Sequence, residues 1–305
     1  MSPTALVPTI LTFIAIVCVG AVARSFGVLR REDARGINAV IIYVGLPAFI
    51  FRAVHAAALR VDLIFVVLIA WAVFAVMAGL GFAAARILRL PRTIAGGFIL
   101  VVALGNTGYI GYPIIQAVLG ANALPEAIFY DVFGTVVALV LVGMLIAQRF
   151  GDSAEARVNP LRELALFPAL WALLLALALR PVAIPNVVGN GLDLLASMVA
   201  PLVMLSVGIS LRFSTMRRDA VAVSVVSVLR LVVAPAIALA IGLVVLGRGV
   251  PLRVTTLEAG MPAMMLTLVI GDRFGLDSDF IASSIFVTTA LCAVTLPLIA
   301  VLALR

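Results

Sequence analysis

Charge is scarce in this sequence, and lysine is absent from it. Only 11% of the 305 residues are charged, 65% are hydrophobic, and all 21 basic residues are arginine. A typical soluble domain carries about 25% charged residues, so the composition excludes a soluble globular domain. It predicts a membrane protein that crosses the bilayer several times, because a helix of about 20 apolar residues spans the hydrocarbon layer.

Metal-binding and nucleophilic side chains are equally scarce. The chain has one histidine, His55, and two cysteines, Cys18 and Cys292, which lie in apolar segments without CxxC spacing. No HExxH motif is present, and a lone histidine at the end of a span gives no catalytic base with a nucleophile. We therefore expect no metal, no cofactor and no enzymatic activity. The arginines are scattered through short loops, which is typical of topology control and not of nucleic-acid binding.

Ten apolar segments of helical length follow one another, and an even number places both termini on one side of the membrane. Fourteen arginines lie in the loops after odd-numbered segments, and six lie on the opposite side. The positive-inside rule therefore puts the odd loops in the cytoplasm and both termini outside. The predicted spans are residues 4–23, 37–56, 62–85, 94–119, 125–148, 161–179, 191–211, 219–246, 254–274 and 279–303.

Prolines recur at similar distances in the two halves of the chain. Pro47 and Pro201 are 154 residues apart, and Pro113 and Pro262 are 149 apart. This offset indicates a duplication of five spans, and an odd number of spans gives the second copy the opposite orientation. Inverted repeats of this kind are common in secondary transporters. The predicted units are a first repeat at 1–150, a short cytoplasmic linker at 151–160 and a second repeat at 161–305.

Two of the predicted spans contain helix breakers at their centres. Span four carries GNTGYIGYP (105–113), and span nine carries GMP (260–262). Non-helical backbone at this depth is tolerated only inside protein or along a wet cavity, and the N-terminal ends of half-helices attract anions. We therefore predict a substrate site here; the alternative is a simple proline kink with glycines for close packing. The candidates are Gly105, Asn106, Thr107, Tyr109, Pro113, Gly260, Met261 and Pro262.

Three of the charged residues inside predicted spans are candidates for a functional role. Arg230 lies in span eight, Asp131 in span five and Glu258 in span nine. A charge at this depth faces the protein interior and needs a partner. Arg230 is either a contact for an anionic substrate or a structural or snorkelling residue. Asp131 and Glu258 either form an ion pair with Arg230, carry a coupled proton, bind Na⁺, or serve as helix-end and packing residues.

Four motifs together resemble the auxin efflux carrier family, which includes bacterial malonate-type carriers and the plant PIN proteins. They are GNTGYIGYP, RLVVAP (230–235), GMPAMMLTLVIGDRFG (260–275) and TTALCAVTLPL (288–298). The resemblance implies an all-α fold of ten spans in a 5+5 inverted repeat of the bile-acid-symporter type. Spans 1, 2, 6 and 7 would form a scaffold, and spans 3–5 and 8–10 a transport domain. It also implies that the broken spans four and nine cross, with a substrate carboxylate bound at the crossing against Asn106.

The resemblance implies a carrier of small organic anions that works by alternating access, as an elevator or by rocking, in the plasma membrane of a bacterium. Plant carriers have proline and glutamine where this chain has Gly105 and Ala263, which argues against auxin as the substrate. A homodimer is expected by analogy. The alternatives are an H⁺- or Na⁺-coupled symporter of another small solute, a channel, or a membrane sensor that transports nothing.

Overall fold

The computed structural model describes residues 3–57, 62–153, 159–210 and 219–304, and over these residues the chain forms helices and loops without a β-strand. The described helices are, in chain order, α1 (Pro3–Ser25), α2 (Glu32–His55), α3 (Leu63–Ile87), α4 (Arg92–Ala103), α5 (Tyr112–Leu119), α6 (Ala121–Phe150), α7 (Pro160–Ala165), α8 (Pro168–Ala178), α9 (Asn186–Ser210), α10 (Ala220–Val245), α11 (Val250–Ala259), α12 (Leu266–Phe274) and α13 (Ser278–Leu304).

Six of the described helices, α2, α3, α6, α9, α10 and α13, are long and apolar enough to cross a membrane. Helix α3 shows why: its best window has a mean hydropathy of 2.8. Its apolar side chains point both inward, as at Ile69 and Val73, and outward, as at Leu68 and Val76. A helix that is apolar on every side is stable only among protein and lipid. The chain is therefore an all-helical, multi-pass membrane protein.

The interrupted segments run through the centre of the bundle. Every residue from 94 to 115 is buried, and so is every residue from 254 to 265. By contrast, at most 39% of the apolar window is buried in α2, α3, α9, α10 and α13. The helix breakers therefore lie where neighbouring protein, and not lipid, surrounds the backbone.

The most extensive helix contacts fall into two groups. In the first group α1 packs along the second half of α9, and α2 packs against α8 and the first half of α9. In the second group α3 packs against α4, α6, α10 and α11, while α13 packs against α4, α10 and α11. The first group consists of predicted spans one, two, six and seven.

Several of the long helices contain a π-helical turn, which widens the helix locally and is frequent at functional sites. Such turns lie at Ile41–Gly45 in α2, Tyr130–Val136 in α6 and Leu229–Val233 in α10. The second holds Asp131 and the third holds Arg230. Both charged residues predicted within these spans therefore lie on irregular turns that face the bundle interior.

Each predicted span coincides with described helices, although some limits differ. Span seven begins at Asn186, and span nine begins at Val250 with Pro251 in its first turn, a position that tolerates a missing N–H. Span six is divided at Pro168 into α7 and α8. The ten membrane spans and the inverted repeat stay predictions. Residues 154–158 of the predicted linker lie outside the described residues, as do six of the loop or terminal arginines, namely Arg60, Arg157, Arg212, Arg217, Arg218 and Arg305.

Candidate functional site

The two helix interruptions lie against each other at the centre of the bundle. The extended backbone between α4 and α5 pairs antiparallel with the backbone between α11 and α12, and we call this pairing, residues 104–106 with 262–264, the crossing. Two backbone hydrogen bonds hold it: Asn106 N–H donates to the Pro262 carbonyl at 2.8 Å, and Met264 N–H donates to the Leu104 carbonyl at 3.0 Å. The breakers therefore exchange helical hydrogen bonds for bonds between the two segments.

Arg230 lies against the crossing and is 2% exposed. Its Nε donates to the Met261 carbonyl at 3.0 Å, and its Nη2 donates to the Ala259 carbonyl at 2.5 Å. Its Nη1 donates to the carbonyls of Val102 and Ala103 at 3.2 and 3.3 Å. These carbonyls stand at the C-terminal ends of α4 and α11, where helices leave acceptors without partners and carry partial negative charge. One guanidinium therefore satisfies two half-helix ends at once.

Asp131 faces the turn that follows the crossing. Thr107 Oγ1 donates to Asp131 Oδ1 at 2.5 Å, and the Tyr112 hydroxyl donates to Oδ2 at 2.6 Å. A Cβ on Gly108 would lie 2.9 Å from Oδ2, a distance that no ordinary side chain tolerates. The carboxyl group is buried, and it has a donor on each oxygen.

Glu258 lies near the other side of the same turn and differs from Asp131 in its partners. It is fully buried, and neither carboxyl oxygen has a hydrogen-bond partner among the described residues. Its Cδ lies 2.9 Å from the position that a Cβ on Gly111 would take, and Oε2 would overlap that Cβ. Glycine at this position is therefore what lets the carboxyl group approach the turn.

A small cavity opens beside the crossing, with a volume of about 20 Å³. Asn106 and Tyr109 line it, and both the Asn106 Nδ2 and the Tyr109 hydroxyl are buried without a partner in the described part of the chain. This volume suits a water molecule and is too small for a dicarboxylate, so the crossing is closed to a ligand of that size. The remaining lining residues are Ile42, Leu46, Ile50, Gly108, Asp131, Val136, Phe167, Ala169, Met264, Met265 and Leu266.

The structure gathers the predicted site residues around the crossing but does not point all of them into the cavity. Asn106 and Tyr109 line it, whereas Thr107 turns its hydroxyl to Asp131. Gly105 takes part in the backbone pairing, and Met261 contributes a carbonyl to Arg230. Pro113 is buried at the second position of α5, and Gly260 and Pro262 belong to the buried gap after α11.

The alternative of an ion pair between Arg230 and either carboxylate is wrong within the described structure, because backbone carbonyls are the partners that Arg230 takes. Arg230 makes four hydrogen bonds with its five N–H groups, and substrate contact by Arg230 stays a prediction. The described residues also contain no group of three or more His, Cys, Asp or Glu that could hold a metal ion.

Sequence reasoning missed two features of the site. Thr288 Oγ1, on α13, accepts the Ala263 N–H at 3.1 Å and so completes the crossing; a threonine inside an apolar helix gives no sign of this. Helix α2 supplies one cavity wall through Ile42, Leu46 and Ile50. These residues look like any others on an apolar helix, so only the tertiary packing identifies them.

Comparisons with known proteins find relatives that match nearly the whole chain. A family model described as "Membrane transport protein" matches residues 5–300. An "Uncharacterized transporter" of Methanothermobacter thermautotrophicus is 33% identical over 293 residues, covering 95% of this chain and 96% of the relative. A second one, from Methanocaldococcus jannaschii, is 32% identical and covers 92% and 93%. A "Putative malonate transporter" of Rhizobium meliloti is 24% identical over 94% of this chain and 92% of its own.

Proposed function

We propose that this protein carries small organic anions across the membrane by alternating access. The chain belongs to the membrane transport protein family, which is the auxin efflux carrier family that its motifs resemble. The protein is a membrane transporter and not an enzyme. The name of the Rhizobium meliloti relative makes malonate and similar short dicarboxylates the first compounds to test. The substrate would bind at the crossing.

The observation that carries this proposal is the pair of unused donors in the cavity. The Asn106 Nδ2 and the Tyr109 hydroxyl are both buried, and neither has a partner in the described structure. An unsatisfied buried donor costs free energy. A carboxylate accepts hydrogen bonds and donates none when ionised, so its arrival would satisfy both groups.

The helix ends at the crossing support an anion as well. The negative C-terminal ends of α4 and α11 are already occupied by Arg230. The N-terminal ends, at the turn that starts with Thr107 and at α12, which starts at Leu266, begin next to the cavity. The partial positive charge of such ends favours negative ligands.

The proposal includes the finer architecture. Ten spans in a 5+5 inverted repeat, 1–150 and 161–305, would place both termini outside the plasma membrane. The two groups of helix contacts support a scaffold of α1, α2, α8 and α9, and a transport domain of the remaining spans. The crossing cavity is lined by α2 and α8 of the proposed scaffold and by α6 and the crossing of the proposed transport domain, so movement of one group against the other would expose it. A homodimer belongs to the proposal by analogy alone.

Further cavities support a route to one membrane face. A cavity of about 310 Å³ is lined by the charged residues Glu32, Arg35 and Asp272. It shares Leu268 with a smaller apolar cavity, which in turn shares Met265 with the crossing cavity. By the arginine distribution, this larger cavity would open to the cytoplasm.

Asn106→Ala tests the site. We expect the variant to bind malonate about 10- to 100-fold more weakly, because a hydrogen bond to a charged group contributes about 1.5–3 kcal/mol. The purified protein is titrated with short mono- and dicarboxylates and indole acids, and the ligand-induced rise in melting temperature is recorded. Asn190→Ala, at an exposed position of α9, is the matched control and should bind as the unmodified protein does.

Counterflow of labelled malonate in liposomes then separates a carrier from a sensor. Saturable exchange that Asn106→Ala weakens supports the proposal. Malonate binding without exchange identifies a sensor. Equal binding by the Asn106 and Asn190 variants removes the crossing as the site, and stabilisation by uncharged or cationic compounds alone removes organic anions as the substrate class.

A further inference from the structure

Two acidic side chains and one basic side chain surround the crossing. Asp131, Glu258 and Arg230 are 4%, 0% and 2% exposed, and they come from α6, α11 and α10. If all three were ionised, the closed site would carry one positive and two negative charges before any substrate entered. An organic anion would then add to an excess of negative charge inside a buried site.

The positive charge of Arg230 offsets that excess only in part, because its hydrogen bonds go to neither acid. Its donors are taken by carbonyls at the C-terminal ends of α4 and α11. Each helix C-terminus is equivalent to about half a negative charge, so two such ends approximately match one guanidinium. Within the described structure neither Asp131 nor Glu258 lies within ion-pair distance of it.

Glu258 has the environment of a neutral acid. Its carboxyl group is fully buried, and both oxygens lack a donor among the described residues. An ionised carboxylate without a partner is very costly in such a place, whereas a protonated one is tolerated. Asp131 is held by two donors, Thr107 and Tyr112, and shares the small cavity with Asn106. A carboxylate bound at Asn106 would therefore lie next to the Asp131 carboxyl group.

We propose that Glu258 and Asp131 hold protons when an organic anion occupies the closed crossing, so that the carrier moves its substrate together with protons. This inference rests on the proposed function. The protons come from water on the side to which the crossing is open and leave to water on the other side.

The position of Arg230 argues against sodium as the coupling ion at this place. In transporters with broken helices, half-helix C-terminal ends and unwound carbonyls coordinate the coupling cation. Here Arg230 fills that position as a permanent cation. The other ionisable groups near the acids are the phenols of Tyr109 and Tyr112 beside the turn, and Tyr130 and Glu126 on α6.

Proton uptake can be counted by calorimetry. Potassium malonate is titrated into the purified protein in two buffers that differ in ionisation enthalpy, and the difference in heat gives the protons bound per malonate. We expect about one proton, taken up by Asp131 because Glu258 is already protonated in the free protein, and a Kd that weakens about tenfold per pH unit at higher pH. Asp131→Asn should lower the count and flatten this pH dependence. Glu163→Gln, which changes an exposed acid paired with Arg273, should leave both unchanged, and sodium in place of potassium should have no effect.

A spectroscopic measurement tests Glu258 without a substrate. The infrared C=O band of a protonated, buried carboxylic acid should be present at neutral pH and disappear in Glu258→Gln, which has the shape of the protonated acid. Absence of this band, a proton count of zero with malonate bound, or tighter malonate binding in sodium would overturn the inference. Lack of malonate binding with the band present would instead count against the proposed substrate class and leave the protonated Glu258 standing.

Discussion

Replacement of Arg230 by glutamine gives the sharpest prediction about how the crossing is held. The guanidinium donates to four carbonyls, those of Val102, Ala103, Ala259 and Met261. Leaving a buried acceptor unsatisfied costs about 1–3 kcal/mol. Four acceptors therefore give a loss of at least about 3 kcal/mol once glutamine has recovered one of the bonds. At about 2 °C per kcal/mol, the melting temperature should fall by roughly 6 °C or more.

The control for this prediction is another arginine that makes a hydrogen-bonded ion pair. Arg273 donates to Glu163 at 3.0 Å, but the side chains are 47% and 32% exposed. Exposed ion pairs contribute about 0–1 kcal/mol, so Arg273→Gln should lower the melting temperature by about 2 °C or less. Both variants are purified in the same detergent and melted side by side.

The substrate response of the Arg230 variants then separates two roles. Arg230→Lys keeps the charge with three donors in place of five, so its melting temperature should lie between those of the unmodified protein and Arg230→Gln. The reasoning is refuted if Arg230→Gln melts like Arg273→Gln. If it melts normally and no longer responds to malonate, Arg230 contacts the substrate and the carbonyl contacts are incidental.

Two glycine contacts give further predictions, both measured by melting temperature. Gly111→Ala should destabilise the protein by about 1–3 kcal/mol, because the added methyl group overlaps the Glu258 carboxyl group; the double variant with Glu258→Ala should recover most of this loss, and an additive result would contradict the contact. Gly208→Ala should separate α1 from α9, since its Cβ would fall on the backbone carbonyl of Val17, which cannot move aside. Gly79→Ala, where nothing lies within 4 Å, should stabilise α3 by about 0.5–1 kcal/mol, and equal shifts for Gly208→Ala and Gly79→Ala would refute the packing argument.

The helix interruptions were predictable because the residues that cause them act locally. Gly-Asn-Thr-Gly at 105–108 and Gly-Met-Pro at 260–262 disfavour helix wherever they stand. The hydropathy of the flanking residues also predicted that these breaks lie at membrane depth. The resemblance to the carrier family implied that the two breaks cross, and they do so through the pairing of Gly105 with Ala263.

The partners of Arg230 were not predictable, for a physical reason. The sequence suggested a charged side chain or a substrate, because a buried charge needs compensation. The acceptors are backbone carbonyls, up to 128 positions away at Val102. Every residue has a carbonyl group, so no side chain marks the few that lie at a broken helix end. The contact of Gly111 with Glu258 was hidden in the same way, because it depends on how α11 packs beside the turn.

The same helix breaks explain both the cation that is built in and the anion that we propose. Breaking two helices creates two negative ends and two positive ends at one place. Arg230 matches the negative ends of α4 and α11 with a side chain. At the positive ends, by contrast, the nearby side chains are two acids, and Asn106 Nδ2 remains without a partner in the described structure. A site in which the helix-end carbonyls are satisfied and the donors of Asn106 and Tyr109 are not favours a ligand that brings acceptors. Such a ligand is compatible with two neighbouring carboxyl groups only if they are protonated, so the choice of substrate and the choice of coupling ion follow from the same charge balance.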